Sequence, residues 1–302
     1  MRTATRVGTG LKSVLAVLGG AAMLLGTLAP LDEAAAAVAP SIKNTRHNLG
    51  STVRDPVIAG ANTFSGTDEI CVFCHTPHGG ASGLSVPPLW NRTMPATAYS
   101  VYDTTNSTTL EAGLATDGIA AAPSVGSVSI ACLSCHDGSQ ALNTILNAPG
   151  SGYAGDATWA AGTWSGTFTG TLAATSAAML GADLKNDHPI GIQYCGGGPT
   201  VAAAAAACRD GDFVTPSSAT IGAAGLVFWV DTTVSGVNAA GRQKTDMVLF
   251  NRTFPTDGSG PSVECASCHD VHKDGANSTP QTSMFLRVSN SGSGVCLSCH
   301  VK

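Results

Sequence analysis

The chain has 302 residues, of which 12% are charged and 5% aromatic, with 36 glycines and a formal net charge of −5. An acidic balance of this kind excludes a phosphate-backbone partner, so nucleic acid is not expected. With so few large side chains to bury, something besides the chain itself must fill the interior.

The amino terminus reads as an export signal. Arg2, Arg6 and Lys12 form a basic region, residues 13–28 an apolar one, and residues 34–37 a small-residue cleavage zone after Asp32 and Glu33. The apolar run carries Gly19, Gly20 and Gly26 and falls short of the roughly 20 residues a bilayer-spanning helix needs. Residues 1–37 are therefore read as a signal peptide rather than a retained anchor. No membrane span is expected after its cleavage, and the mature chain is placed outside the cytoplasm. Loss of three basic and two acidic residues takes the formal charge from −5 to −6.

The first feature beyond the signal is His47, within the polar stretch 43–48. Next comes Cys71-Val72-Phe73-Cys74-His75, and the same spacing recurs at Cys132, Cys135 and His136, at Cys265, Cys268 and His269, and at Cys296, Cys299 and His300. Cys-x-x-Cys-His is the signature of covalent c-type haem, two thiols forming thioethers and the histidine ligating iron. On one helical turn these three residues share a face. Zinc knuckles, redox dithiols or structural disulfides are the competing readings, but none needs a histidine at that fixed offset. Four c-type haems are expected.

Those motifs use four of the eight histidines and leave His47, His78, His188 and His272, one spare per iron. Each iron is accordingly expected to carry histidine on both sides. His78, three residues after His75, is expected on the same face of a short helix, whereas the two axial ligands of one iron approach from opposite sides. His78 then serves a neighbouring haem, and His272, three residues after His269, repeats the arrangement. Met94, Met179, Met247 and Met284 are alternative sixth ligands, disfavoured because they sit in ordinary apolar contexts.

A lone histidine, then Cys-x-x-Cys-His-x-x-His, then Cys-Leu-Ser-Cys-His occurs twice. A Leu-Trp/Phe-Asn-Arg-Thr echo, at 89–93 and 249–253, accompanies it. The order implies two dihaem units, 38–150 and 151–302, the second with a loop-rich insertion at about 195–262. Between motifs, 137–146 is expected to form a short helix and 163–172 a strand or loop. Pro189 biases His188 toward an extended strut. Leu226–Val230 and 246–250 read as β segments, paired with one another. Cys195 and Cys208 stand outside the motifs. In an oxidising compartment a disulfide is the natural reading, contributing about 3 kcal/mol, with metal binding the weaker option.

These residues resemble the exported multihaem c-type cytochromes with doubled motifs, and in particular the tetrahaem subunits of extracellular cytochrome filaments, or nanowires. The similarity lies in 46–49, 71–79, 88–92, 132–138, 186–189, 265–272 and 296–300, about a fifth of the mature chain. It implies an irregular, loop-rich multihaem cytochrome c fold, short helices and a few β segments packed around four haems. It also implies partners: other copies of the chain in a filament, with His47 as a ligand passed between subunits, and other cytochromes or an extracellular electron acceptor. An iron with two protein ligands offers no open position, so an electron carrier is expected rather than an enzyme, at the cell surface or outside the cell. The alternatives are a monomeric periplasmic shuttle, a multihaem reductase with one open haem, and a non-catalytic structural or metal-binding secreted protein.

Overall fold

Small and polar residues break every long apolar stripe, and the helices are correspondingly short. The computed structural model describes residues 42–51, 61–81, 89–102, 125–149, 152–159, 162–222, 225–232, 241–272 and 285–301. The signal segment 1–37, residues 87–88 and Met284 lie outside the described residues. Helix α1 spans Ser127–His136 and ends through Asp137, whose amide donates to the Leu133 carbonyl, into Gly138 at φ +72°. The positive φ favours glycine at this cap, and a Cβ there would also push the Met179 methyl, 2.7 Å away, aside. Helices α2, Cys265–Cys268, and α3, Gly294–Cys299, together with a 3-10 turn at Cys71–Phe73, are each one or two turns long. No helix among the described residues is long and apolar enough to cross a membrane.

Strands β1, Thr144–Ala148, and β2, Gly152–Thr158, form an antiparallel hairpin with an irregularity between Ile145 and Asn147. The expected helix over 137–146 is therefore corrected: the chain turns at Asp137 and enters β1, because Gly138 stops the helix and Ile145 buries itself as a strand residue. A second antiparallel sheet comprises β3, Ile192–Gln193, β4, Ser217–Thr220, β5, Leu226–Val230, β6, Met247–Phe254, and β7, Gly258–Val263. Its order is β3-β7-β6-β5-β4. The two segments read as β from sequence pair directly, Phe228 opposite Leu249 and Val230 opposite Met247. The stretch 195–262, expected to be loop-rich, thus holds four of the five strands of this sheet. Its glycines, serines and threonines hide short strands that only the pairing reveals.

Three apolar clusters root the four cysteine motifs. Val72 and Phe73 of the first motif pack with Phe64, Ile145 and Ala148. Ile130 and Leu133 on α1 pack with Val101, Val125 and Leu184. Tyr194, Phe228, Val230, Met247 and Leu249 form the third cluster, against which Cys268 and Cys299 pack. The sheet thereby serves as the platform for the last two motifs.

A buried polar knot joins α1 to α2. Glu264, 1% exposed, caps α2 and pairs with Arg252 at 3.0 Å. It also accepts from Ser129 Oγ of α1 at 2.5 Å and Ser262 Oγ at 3.1 Å. Ser129 Oγ in turn accepts from the Cys265 amide at 3.0 Å. Gly126 is required here, since a Cβ would overlap the Glu264 carboxylate. Burial pushes the Glu264 carboxyl above its ordinary value, while Arg252 and the two serines favour its ionised form.

Glu264→Ala removes the carboxylate that neutralises the buried Arg252 and is expected to cost about 3–5 kcal/mol in chemical denaturation, with Glu264→Leu/Arg252→Met recovering part of the loss. The Sγ atoms of Cys195 and Cys208 are bonded, with Cα atoms 5.4 Å apart. Replacing both by serine should lower stability by about 3 kcal/mol. An unchanged denaturation midpoint in either case contradicts the corresponding assignment.

Candidate haem-attachment sites

Each Cys-x-x-Cys-His segment folds as a closed helical turn. In the first, the amides of Cys74 and His75 both donate to the Cys71 carbonyl, at 3.0 and 2.7 Å. His269 donates to Cys265 O at 3.1 Å and His300 to Cys296 O at 2.9 Å. The second motif is the last turn of α1. Two thiols and an imidazole therefore leave one turn in every case. All eight motif cysteines are free thiols.

In three of the four motifs the histidine is then clamped by the same pair of backbone hydrogen bonds. Thr76 donates to Leu89 O at 2.9 Å and Asn91 to Cys74 O at 2.8 Å, which sets His75 opposite Trp90. Asp270 donates to Phe285 O at 2.7 Å and Arg287 to Cys268 O at 2.8 Å, setting His269 opposite Leu286. Val301 donates to Asp212 O and Val214 to Cys299 O, each at 2.9 Å, setting His300 opposite Phe213. The backbone at His269 and His300 is accordingly extended, φ −104°, ψ 141° and φ −101°, ψ 138°. This corrects the expectation that His75 and His78 share a helical face: helical geometry ends at the second cysteine, because its carbonyl is spent on the facing segment. His136 is held differently, its carbonyl accepting from Leu180 at 2.8 Å and its Nδ1 lying 2.6 Å from the Ala178 carbonyl.

A carbonyl at Nδ1 fixes the proton there and leaves Nε2 as the ligating nitrogen. His188 has the same arrangement, with Nδ1 3.0 Å from Pro189 O. His272 has it through Asp270, whose carboxylate lies 3.5 Å from Nδ1. The bond to Asp270 raises the His272 pKa, and the same contact holds the Asp270 carboxyl at about 2.

The spare histidines divide into two kinds. His47, expected on an arm reaching a neighbouring copy, lies against its own chain: its ring stacks on Phe285 at 4.3 Å and stands 6.1 Å from the ring of His136. Burial, then the nearby His136, His269 and His272, pull the His47 pKa down to about 3. The His272 ring stands 6.3 Å from that of His75 at an interplanar angle of 21°. His78 and His188 are exposed. Of the described methionines, Met247 is fully buried in β6 and Met94 packs against the α1 cluster.

Thiols of different motifs lie near enough to shift one another's titration. Cys74 is pushed up to about 12 by burial and then by the neighbouring Cys135. Cys132 shares a hydrogen bond with Cys265 and is pushed up by it, while Cys265 is pulled down. Cys268 rises to about 11 through burial, with Cys265 and Cys296 adding to it, and Cys299 to about 12 through burial and Cys268.

Several positioning residues carry no sequence signal beyond the Asn-Arg echo. Asn91 Nδ2 donates to Val72 O at 2.7 Å and Asn147 O at 2.9 Å, tying the first motif to β1. Arg92, fully buried, donates to the carbonyls of Ser134, Ala141 and Leu142, each at 2.9 Å, and so holds the end of α1. The donor sets fit haem: paired free thiols for thioethers, an imidazole on the same turn, and a second imidazole facing it at two sites. No protein-family profile matches this chain, and no curated protein matches it.

Proposed function

We propose that this protein is an exported electron carrier that holds four covalent c-type haems, at Cys71/Cys74, Cys132/Cys135, Cys265/Cys268 and Cys296/Cys299. Haem, when bound, supplies one-electron redox chemistry. The observation that carries this reading is that all four Cys-x-x-Cys-His segments fold as single turns carrying two free thiols and an imidazole, with Cys132 of the second hydrogen-bonded to Cys265 of the third. A row of attachment turns is what a conduit across the molecule needs. His75, His136, His269 and His300 are the proximal ligands, and His47, His78, His188 and His272 the distal ones. Two imidazoles per iron exclude small-molecule substrates, which favours a carrier over a reductase.

Assembly into a filament of copies of this chain, serving extracellular electron transfer to other cytochromes or an external acceptor, is supported by one asymmetry between the repeats. Leu133, between the cysteines of the second motif, is fully buried, whereas Leu297, its counterpart in the fourth, is 52% exposed beside Val301 at 59%. The fourth motif thus ends in an apolar surface that the second motif covers with its own chain.

Intact-mass measurement of the secreted protein should show four covalent haems, and the reduced protein should not bind carbon monoxide. His78→Ala or His188→Ala should leave the mass of haem unchanged and open one iron to carbon monoxide. A colourless protein, or one that binds carbon monoxide without substitution, contradicts the reading. Leu297→Asp should retain four haems yet shift filaments to single particles in electron micrographs, and unaltered filaments would overturn the assembly surface.

A further inference from the structure

Two ring pairs in this chain have the separation that one metal ion imposes. A metal ion sits about 2 Å from an imidazole nitrogen, which itself lies about 1.2 Å from the ring centre, so two imidazoles facing each other across one ion have centres about 6–6.5 Å apart. His75 and His272 stand at 6.3 Å, and His136 and His47 at 6.1 Å.

Each pair joins one motif histidine to one spare histidine. Three of the four imidazoles are backed by structure that holds them in place. Ala178 O engages His136 Nδ1, Asp270 lies against His272 Nδ1, and Phe285 stacks on the face of His47. The fourth, His75, is clamped by the Leu89 and Asn91 hydrogen bonds and abuts the Trp90 ring edge-on at 5.5 Å.

We infer that His272 supplies the second ligand to the iron attached at Cys71, Cys74 and His75, and that His47 supplies it to the iron attached at Cys132, Cys135 and His136, both within one chain. The assignment rests on the haem reading above and adds the pairing. It makes the first iron depend on the second repeat, since His272 follows the third motif directly. It also removes His47 from any role between subunits.

The test removes one iron and asks which histidine loses its partner. In the full-length haem-loaded chain, His272→Ala should turn one of four haems high-spin by electron paramagnetic resonance. In the three-haem Cys71→Ala/Cys74→Ala background, His272→Ala should leave all three low-spin, while His47→Ala should turn one high-spin. A high-spin haem from His272→Ala in that background overturns the pairing. If the three-haem protein is not recovered, nuclear Overhauser contacts in the reduced four-haem protein decide. Contacts from the His272 ring to the thioethers at Cys71 and Cys74 support the pairing, and contacts to another thioether pair refute it. Absence of covalent haem in the unsubstituted protein, read separately by intact mass, would sink the underlying function instead.

Discussion

The constraint on which the rest depends is a two-bond backbone clamp that grips a histidine as it leaves a helical turn. The turn alone brings two thiols and an imidazole together, but its last residue would fray in water, since a single helical turn is not stable by itself. In three motifs a facing segment spends one carbonyl and one amide on the residues flanking the histidine. This fixes the backbone around the imidazole at no cost in side-chain chemistry, and Trp90 and Phe213 lie against the rings of His75 and His300. The clamping segments come from different places: a nearby loop for His75, the stretch after a long connection for His269, and the loop before β4 for His300. One local geometry has been reached by three topologies.

The clamps set each site, and buried polar groups set the sites against one another. Glu264 does most at the junction of α1 and α2, because it caps α2, receives Ser129 from α1 and neutralises Arg252 in β6. The Cys132–Cys265 thiol contact lies beside that knot. Arg92 and Asn91 do the corresponding work in the first repeat, though with carbonyls in place of a carboxylate. The two arginines of the Asn-Arg echo are therefore both buried against an attachment helix, one at the end of α1 and the other at the start of α2. Their local surroundings differ, one facing backbone carbonyls and the other a carboxylate.

The grouping of two thiols and an imidazole on one turn was legible in the sequence because it depends on residue type at fixed local offset, and one helical turn suffices to realise it. The direction of the chain after each motif was not legible. It is decided by hydrogen bonds to residues such as Leu89, Phe285 and Asp212, and backbone partners leave no mark in side-chain spacing. The same reason explains the missed strands in 195–262, where pairing rather than periodicity makes Ser217–Thr220 and Gly258–Val263 into a sheet. Phe228 and Met247 announced themselves as β residues because they sit in short continuous runs of bulky apolar side chains. Glu264 did not, since a glutamate before a cysteine reads as an ordinary surface residue until Arg252 and Ser129 are seen to surround it.

The central claim is that four attachment turns hold iron in a row that follows the sequence. Anomalous diffraction at the iron edge, or a high-resolution map of the purified protein, tests it most directly. Four irons should appear, beside His75, His136, His269 and His300, with each nearest its sequence neighbours. A structure with no iron at these turns, or with the sites at Cys132 and Cys265 far apart, would contradict the account.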